Sequence, residues 1–220
     1  MDQAVKMDRM YRYQRHIYDL TRKYYLVGRD QLLQTMVING GDRVLEVGCG
    51  TGRNLIRLAQ TYRRARFYGL DASHEMLKTS QAKVARAGQQ KRVTLCQGFA
   101  EDFCYQSTFG LREPFDVIFF SYSLSMIPTW REAIITALTN LRERGHLIIL
   151  DFWDGRDLPS SFRTCLIKWL AQFDVYHRPE LLSYLYALDV ERKGRLTLTP
   201  IARRYSLLAQ FERSAQRLSR

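Results

Sequence analysis

Three glycines at alternate positions follow a short apolar stretch in "RVLEVGCGTGRNL", residues 43–55. Because Gly48, Gly50 and Gly52 lack a side chain, a loop built from them can bring its backbone close to a bound molecule. The spacing is not that of a P-loop, since no Lys-Ser/Thr pair follows the glycines. It also departs from the dinucleotide fingerprint, because bulky Arg53 stands where a small third residue is needed. The loop therefore favours a nucleoside with an amino-acid tail over a pyrophosphate.

Two carboxylates flank this loop in the sequence. Glu46 lies just before the glycines, and Asp71 follows the next apolar stretch, "RFYGL" at 66–70. A carboxylate at the end of a strand can accept hydrogen bonds from both hydroxyls of a ribose. The loop and Asp71 together therefore predict a nucleoside-binding site.

The elements that must position these residues alternate between strands and helices. Strands that are apolar on both faces and alternate with helices indicate a parallel sheet covered on two sides. We therefore predict a doubly wound α/β fold with a mostly parallel, seven-stranded sheet. The predicted strands are 43–47, 66–70, 92–96, 115–120 and 146–150, with "RLTLT" and "YSLLAQF" as a closing antiparallel pair. The predicted helices are 52–62, 74–87, 130–142, 160–173 and a stretch near 179–189.

Composition narrows the class of protein. A chain of 220 residues with 46% hydrophobic residues is expected to form one globular domain. The four cysteines form no C-x-x-C pair, and neither they nor the histidines show metal-ligand spacing, so we expect reduced thiols and no metal. We also expect no signal peptide and no membrane span, because the apolar runs are only strand-sized. The net charge of +12 points to a polyanionic partner, either nucleic acid or an anionic membrane.

The N-terminal segment, residues 10–30, reads as an amphipathic helix. An aromatic and apolar stripe beside a basic stripe suits the headgroup region of a membrane. The alternative is a helix that covers the active site while its arginines are solvated, and the two readings are compatible. We therefore divide the chain into an N-terminal cover, 1–30, and a catalytic domain, 31–220. The stripe-forming residues include Tyr18, Tyr24 and Tyr25 on the aromatic side and Arg12, Arg15, Arg22 and Lys23 on the basic side.

The glycine loop and Asp71 resemble class I S-adenosylmethionine-dependent methyltransferases over roughly residues 40–155, with "VLEVGCGTG" as motif I. The resemblance implies that the glycines approach the cofactor, Glu46 supports its methionine end and Asp71 takes its ribose. Many members of that family have Asp where this chain has Phe99, which leaves the reading of adenine N6 open to Glu101, Asp102 or the backbone. The further cofactor-binding residues implied by the resemblance are Tyr18, Arg29, Thr51, Asn54, Ala72, Met76, Ala100, Glu101 and Ser121.

Four segments together resemble the bacterial betaine-lipid N-methyltransferases (the BtaB type). They are "YDLTRKYYLVGRD", "VLEVGCGTGRNL", "SYSLSMIP" and "DFWDGRDLP". This resemblance implies three successive methylations of the amino group of diacylglyceryl-homoserine to form diacylglyceryl-trimethylhomoserine. It also implies a cytoplasmic enzyme at the inner face of the membrane and a functional partnership with an aminocarboxypropyl transferase that makes the precursor. Phosphatidylethanolamine is the alternative acceptor.

The acceptor side is expected after the fourth strand, in "FFSYSLSMIPTW" at 119–130. The [DNS]-P-P-[YF] motif of base-amino methyltransferases is missing, so we disfavour an RNA methyltransferase and expect no nucleic-acid partner. Ser121, Tyr122 and Met126 would face the reaction site, where Tyr18 and Tyr122 are predicted to orient the amine. Water or a carboxylate such as Asp19 would take its proton.

Two further regions have alternative readings. Arg29 could bind the carboxylate of the cofactor or of the lipid, or it could cap a helix. The apolar helix at 160–173 is either a lid against acyl chains or a core helix, and we favour the core helix. His177 and Arg178, which follow it, are assigned to the substrate and membrane side.

Overall fold

The computed structural model describes residues 26–172, 175–176, 178–191 and 194–215. The N-terminal cover therefore lies outside the described residues, apart from its last five positions. Helix α1 spans Arg29–Thr35, and strand β1 then runs over Arg43–Val47. In the first half follow α2 (Arg53–Thr61), β2 (Arg66–Asp71), α3 (His74–Arg86), β3 (Val93–Gln97) and β4 (Phe115–Ser121). In the second half lie α4 (Trp130–Thr139), β5 (Leu141–Phe152), α5 (Ser160–Ala171), α6 (Glu180–Val190), β6 (Gly194–Ile201) and β7 (Ser206–Arg213).

The seven strands form one sheet in the order β3-β2-β1-β4-β5-β7-β6. Strands β1 to β5 pair in parallel, whereas β7 is antiparallel to both β5 and β6. The prediction of a doubly wound, mostly parallel sheet with a closing antiparallel pair is confirmed. The strand order reverses at β1, whose neighbours are β2 and β4, and in such sheets ligands bind beyond the carboxyl ends of the strands at this point.

Helices cover both faces of the sheet because β1, β2, β4 and β5 carry apolar side chains on both sides. One buried cluster joins the sheet to α1, α2 and α3, and a second joins it to α4 and α6. Phe67 and Phe119 are fully buried on the first face, and Phe115 and Phe120 on the second. In the described part of the chain, no helix combines the length and the apolar character that a membrane crossing requires.

Two elements differ from the sequence prediction. Helix α4 ends at Thr139, and β5 begins at Leu141, because a register shift between Phe115 and Val117 lets the polar stretch 142–145 continue the strand. Helix α5 packs on the core along one side only: Leu170 belongs to the first buried cluster and Leu166 and Trp169 pack against it, while Phe162 and Ile167 are about half exposed. The preference for a core helix at 160–173 therefore holds for one side of this helix.

Candidate functional site

The glycine loop leaves β1 with three residues in the left-handed region. Gly48, Gly50 and Gly52 have φ values of 74°, 52° and 73°, which residues with a side chain rarely adopt. A Cβ atom at Gly48 would lie 2.5 Å from the Cβ of Ser123. The hydroxyl of Ser123 in turn donates to the carbonyl of Val47 at 2.8 Å. The loop is therefore held close against the segment that follows β4.

Asp71, the last residue of β2, fixes the other side of the loop. One carboxylate oxygen accepts from the backbone N–H of Gly50 at 2.7 Å, and the other accepts from the N–H of Ser73 at 2.9 Å. Ser73 is also the N-cap of α3, where its hydroxyl accepts from the N–H of Met76. Asp71 thus ties the glycine loop to the start of α3, and its carboxylate still lines a cavity at the end of the sheet.

Glu46 lies beneath the loop and is only 2% exposed. The side-chain amide of Asn54, near the start of α2, donates to Glu46 at 2.7 Å. Thr51 and Asn54 are also buried. The predicted residues Glu46 and Asn54 therefore form a buried polar pair beside the glycine loop, and Thr51 is buried within the loop itself.

A cavity, here called the nucleoside cavity, opens at the carboxyl ends of β1, β2 and β4. One wall comes from the glycine loop and Asp71, and the opposite wall from residues 126–129. Phe99, at the position where the methyltransferase family often has Asp, lines the cavity and is 40% exposed. The sequence-predicted residues that the structure brings together here are Gly48, Gly50, Asp71, Ala72, Met76, Ala100, Glu101, Ser121, Tyr122 and Met126.

A second, more open cavity, here called the basic cavity, lies on the other side of the loop. Gly48 and Ser121 line both cavities, so the two are adjacent across the loop. The hydroxyl oxygen of Ser121 is buried and has no hydrogen-bond partner among the described residues. The predicted residues that line this second cavity are Arg29, Glu46, Gly48, Thr51, Asn54 and Ser121.

The two cavities fit S-adenosylmethionine. Asp71, Ala72, Met76 and Ala100 would hold its nucleoside end, and Glu46, Arg29 and the Ser121 hydroxyl its methionine end. The buried Ser121 oxygen, which lacks a partner at the junction, is the structural feature that supports this fit. No cluster of His, Cys, Asp and Glu side chains suited to a metal ion occurs within the described ranges.

The segment after β4, here called the acceptor wall (residues 122–129), lines the nucleoside cavity through Tyr122, Ser123 and residues 126–129. Asp151, near the end of β5, supports the acceptor wall. Its carboxylate accepts a hydrogen bond from the N–H of Ser125 at 2.9 Å and another from the N–H of the next residue, Phe152, at 2.8 Å. Asp151 is 2% exposed, and burial raises the pKa of its carboxyl to about 6 in spite of these bonds. Sequence reasoning missed Asp151, although it follows "LIIL" as Asp71 follows "RFYGL".

Tyr122 begins the acceptor wall with a φ of 57°. Its hydroxyl donates to the carbonyl of Val27 and shares a hydrogen bond with Ser206, and its ring packs on Phe152. Burial raises the pKa of this phenol far above its usual value. The hydroxyl is thus engaged between the start of α1 and β7, and its role in orienting an amine stays a prediction.

The remaining predicted residues divide into two groups. Arg178 lies at the acceptor wall, where its guanidinium donates to the carbonyl of Ile127 at 3.0 Å. The N–H of Tyr176 donates to the carbonyl of Ser125 at 3.1 Å, so the chain after α5 is fastened to the same wall. The predicted residues that lie outside the described residues are Tyr18, Arg12, Arg15, Arg22, Lys23, Tyr24, Tyr25 and His177.

Comparisons with known proteins agree with this geometry. The family model described as a methyltransferase domain matches residues 38–179. The phosphatidylethanolamine N-methyltransferase of Cereibacter sphaeroides is 30% identical over 134 residues, which cover 61% of each protein. The demethylmenaquinone methyltransferase of Bacillus mycoides is 27% identical over 124 residues, or 56% of this chain and 50% of that protein. The matched stretch spans about half of the length of the first curated relatives.

Solved structures share the fold at low sequence identity. The putative methyltransferase solved in complex with the Haloferax volcanii Trm112 methyltransferase activator aligns with a TM-score of 0.69 and 16% identity, covering 90% of this chain and 93% of that one. The glycine loop, the nucleoside cavity and a family match over more than half of the chain lead to the same assignment. The chain belongs to the methyltransferase-domain family and has the Rossmann-like fold of class I S-adenosylmethionine-dependent methyltransferases.

Proposed function

We propose that the enzyme methylates the amino group of a membrane lipid. The resemblance to betaine-lipid N-methyltransferases favours diacylglyceryl-homoserine, methylated three times to the trimethyl form. Phosphatidylethanolamine is the second candidate acceptor, because the relative that carries this activity in its name is 30% identical over 61% of the chain.

The observation that carries the proposal is an apolar acceptor wall to which the chain is fastened just after α5, a helix with exposed apolar side chains. Met126, Ile127 and Pro128 give that wall an apolar lining. Helix α5, whose following residues bond to the wall, exposes Phe162 and Ile167 by about half, at 51% and 50%. Exposed apolar side chains of this size are typical of contact with lipid or with a protein partner. An acceptor with acyl chains would use both the lined wall and the exposed helix.

Methyl transfer to an amine is an in-line displacement, and its main requirement is alignment with a neutral nitrogen. S-adenosylmethionine, when bound, supplies the electrophilic methyl group. Asp71 and the glycine loop fix the nucleoside cavity on one side, and Asp151 and Arg178 fix the acceptor wall on the other. Since an alkylamine is mostly protonated at neutral pH, its proton must leave to water or to a carboxylate. Tyr18 and Asp19, both outside the described residues, stay candidates for orienting the amine and for taking that proton.

The proposal also covers where the enzyme acts and what supplies its lipid substrate. We infer attachment to the inner face of an anionic membrane from the net charge of +12 and the exposed apolar face of α5. A separate aminocarboxypropyl transferase would supply the unmethylated lipid if that lipid is diacylglyceryl-homoserine.

The first test is transfer of labelled methyl groups to lipids, with products identified by mass spectrometry. Parallel vesicles would contain diacylglyceryl-homoserine, phosphatidylethanolamine or a demethylated quinone, and a further sample would contain total RNA. We expect a trimethylated homoserine lipid. Methylated phosphatidylethanolamine would establish the second candidate, and a labelled quinone or RNA with unlabelled amine lipids would overturn the proposal.

A pair of variants tests the part played by α5. Phe162→Ser/Ile167→Ser removes the two exposed apolar side chains of that helix, whereas Val37→Ser/Ile135→Ser removes two exposed ones elsewhere. We expect only the first variant to lose methylation of lipid in vesicles, with most activity retained on lipid dispersed in detergent. Equal activity of both variants on vesicles would contradict the role of α5.

A further inference from the structure

A third cavity, here called the apolar cavity, lies between α5 and the segment that follows β5. Leu166 and Leu170 line it from α5. Phe152 lines it from the end of β5, and Tyr205 from the turn before β7. Ile167 also lines it and is 50% exposed, so the cavity reaches the surface along α5. None of these five residues lines the nucleoside cavity or the basic cavity.

An aromatic pair separates the apolar cavity from the nucleoside cavity. The ring of Phe152, which lines the apolar cavity, packs on the ring of Tyr122 with 4.7 Å between the centroids. Tyr122 itself lines the nucleoside cavity. A second link follows α5: Val175 lines the apolar cavity, and the next residue, Tyr176, donates its N–H to the carbonyl of Ser125 in the acceptor wall at 3.1 Å. The apolar cavity is therefore a neighbour of the acceptor side of the reaction site.

Two charged side chains, Asp154 and Arg163, line the apolar cavity. Asp154 is already paired, since Arg204 donates to it from Nε at 2.8 Å and Arg156 lies 3.4 Å away. Arg163 forms no ion pair with any side chain in the part of the chain that the structure describes. Among the described residues the cavity thus combines apolar walls with one unpaired cation. This combination is complementary to a molecule with a hydrocarbon chain and an anionic group.

The segment after β5 is fastened to the turn before β7. The N–H of Trp153 donates to the carbonyl of Tyr205 at 2.9 Å, and the N–H of Gly155 donates to the carbonyl of Arg204 at 2.9 Å. The guanidinium of Arg204 also lies over the ring of Trp153, 4.0 Å from its centroid. Residues 202–204 of the turn have φ values of 47°, 56° and 60°, a left-handed conformation that side chains disfavour. Such strain persists only where the surrounding contacts hold it, so this side of the cavity is preformed.

We propose that the apolar cavity binds an acyl chain of the acceptor lipid, while Arg163 attracts the anionic group of its headgroup. The inference rests on the proposed function, and both candidate lipids carry such a group: a carboxylate in diacylglyceryl-homoserine and a phosphate in phosphatidylethanolamine. A chain held beside Tyr122 and Phe152 would confine the amine near the acceptor wall, which favours its alignment with the methyl group. The segment "DFWDGRDLP" would then serve the acceptor and not the cofactor.

Binding of a fluorescent fatty acid tests the cavity without turnover. cis-Parinaric acid should bind the native protein saturably. Leu166→Trp fills the cavity, whereas Ile135→Trp adds an indole at an exposed position of α4. We expect parinaric acid to bind Leu166→Trp at least about 10-fold more weakly, because the chain and the indole compete for one space. Ile135→Trp should bind it as the native protein does, and equal affinity of both variants would overturn the site.

A second pair of variants tests the cation and leaves the apolar walls unchanged. Arg163→Gln removes the charge that lines the cavity, and Lys168→Gln removes one from the same helix outside it. Arg163→Gln should weaken binding of parinaric acid about three- to tenfold and hardly change binding of the corresponding alcohol. Lys168→Gln should bind both probes as the native protein does. Equal effects of Arg163→Gln on the acid and the alcohol would contradict the role given to Arg163.

Photolabelling of the native protein keeps the test independent of how the variants fold. A palmitic acid with a diazirine at mid-chain should mark Leu158, Leu166 or Tyr205, which line the cavity. Added phosphatidylethanolamine or diacylglyceryl-homoserine should reduce this labelling. Labels confined to Phe162 or Val37, which are exposed, would overturn the site. Labels in the cavity that neither lipid reduces would assign it to a free fatty acid and overturn the acceptor chain. No readout involves methylation, so a failure here is distinct from a failure of the proposed methyl transfer.

Discussion

Asp71 and Asp151 occupy matching positions in the two halves of the sheet. Each stands at or near the carboxyl end of a parallel strand and accepts two backbone N–H groups. One of these donors, Gly50 or Ser125, lies in the segment after the neighbouring strand, so each aspartate ties its own strand to that segment. Asp71 also lines the nucleoside cavity, whereas Asp151 is enclosed and has a raised pKa of about 6. The same hydrogen-bonding arrangement is a ligand site in one half and a support for the acceptor wall in the other. The two roles differ because Asp71 lines a cavity and Asp151 does not.

The largest expected effect concerns Asp151. Its pKa is about 6 in the folded protein against an ordinary value of 3.8, so the folded state holds the proton more tightly than the unfolded chain. This stabilisation is complete only well below pH 3.8 and is lost as the pH rises through about 6. Relative to Asp151→Asn, which does not titrate, the native protein should lose roughly 2 to 3 kcal/mol of unfolding free energy between pH 4 and pH 7. Urea unfolding of both proteins across that range measures this, and parallel pH profiles would contradict it.

The next effect concerns Asp71. Asp71→Ala should weaken S-adenosylmethionine binding by roughly 1.5–3 kcal/mol, because it removes hydrogen bonds to a charged group and releases Gly50 and Ser73. Isothermal titration calorimetry measures the change. Asp157→Ala removes an exposed carboxylate that lines neither cavity and serves as the control. Unchanged cofactor affinity in the Asp71 variant would mean that Asp71, like Asp151, has a purely structural role.

A smaller effect is expected for Tyr122, which belongs to the half of the sheet supported by Asp151. Tyr122→Phe removes the hydroxyl that bonds Val27 and Ser206, so stability should fall by about 1–2 kcal/mol. Thermal unfolding and steady-state kinetics are measured together. If the hydroxyl only supports the wall, kcat should stay within about threefold of the native value. A loss of about 100-fold in kcat with unchanged cofactor affinity would instead assign it to the amine, as the sequence predicted.

The smallest effect is expected at Ser73, beside Asp71. Ser73→Ala removes an N-cap whose hydroxyl lies 3.3 Å from the N–H of Met76, and should cost about 1 kcal/mol. The backbone bond from Ser73 to Asp71 remains, so cofactor affinity should change little. Ser73→Gly should cost only a few tenths of a kcal/mol, since glycine is tolerated at this position. Equal losses in the two variants would contradict the capping role.

Much of this arrangement is visible in the sequence because it depends on local patterns. Apolar strands, the three glycines and an acid after a strand are read directly, and the structure brings Gly48, Gly50 and Asp71 together as expected. The burial of Asp151 was not visible, since it depends on packing between β5 and the acceptor wall. The convergence of Arg53 and Arg57 with Lys83 and Arg86 was also missed. It depends on the distance between two helices, which the contact of Gly52 with Ser80 sets.

The position of β7 has a consequence for the newly made chain. This strand follows β6 in sequence but lies inside the sheet, between β5 and β6. Until the residues up to 213 have left the ribosome, β7 cannot pair with β5. Positions 146–152 of β5 then form an open hydrogen-bonding edge. Such an edge can pair with other chains, so incompletely synthesised copies would be prone to aggregation and exposed to quality-control proteases. This edge of β5 is therefore covered only after β7, which is made after both of its neighbours, is inserted between them.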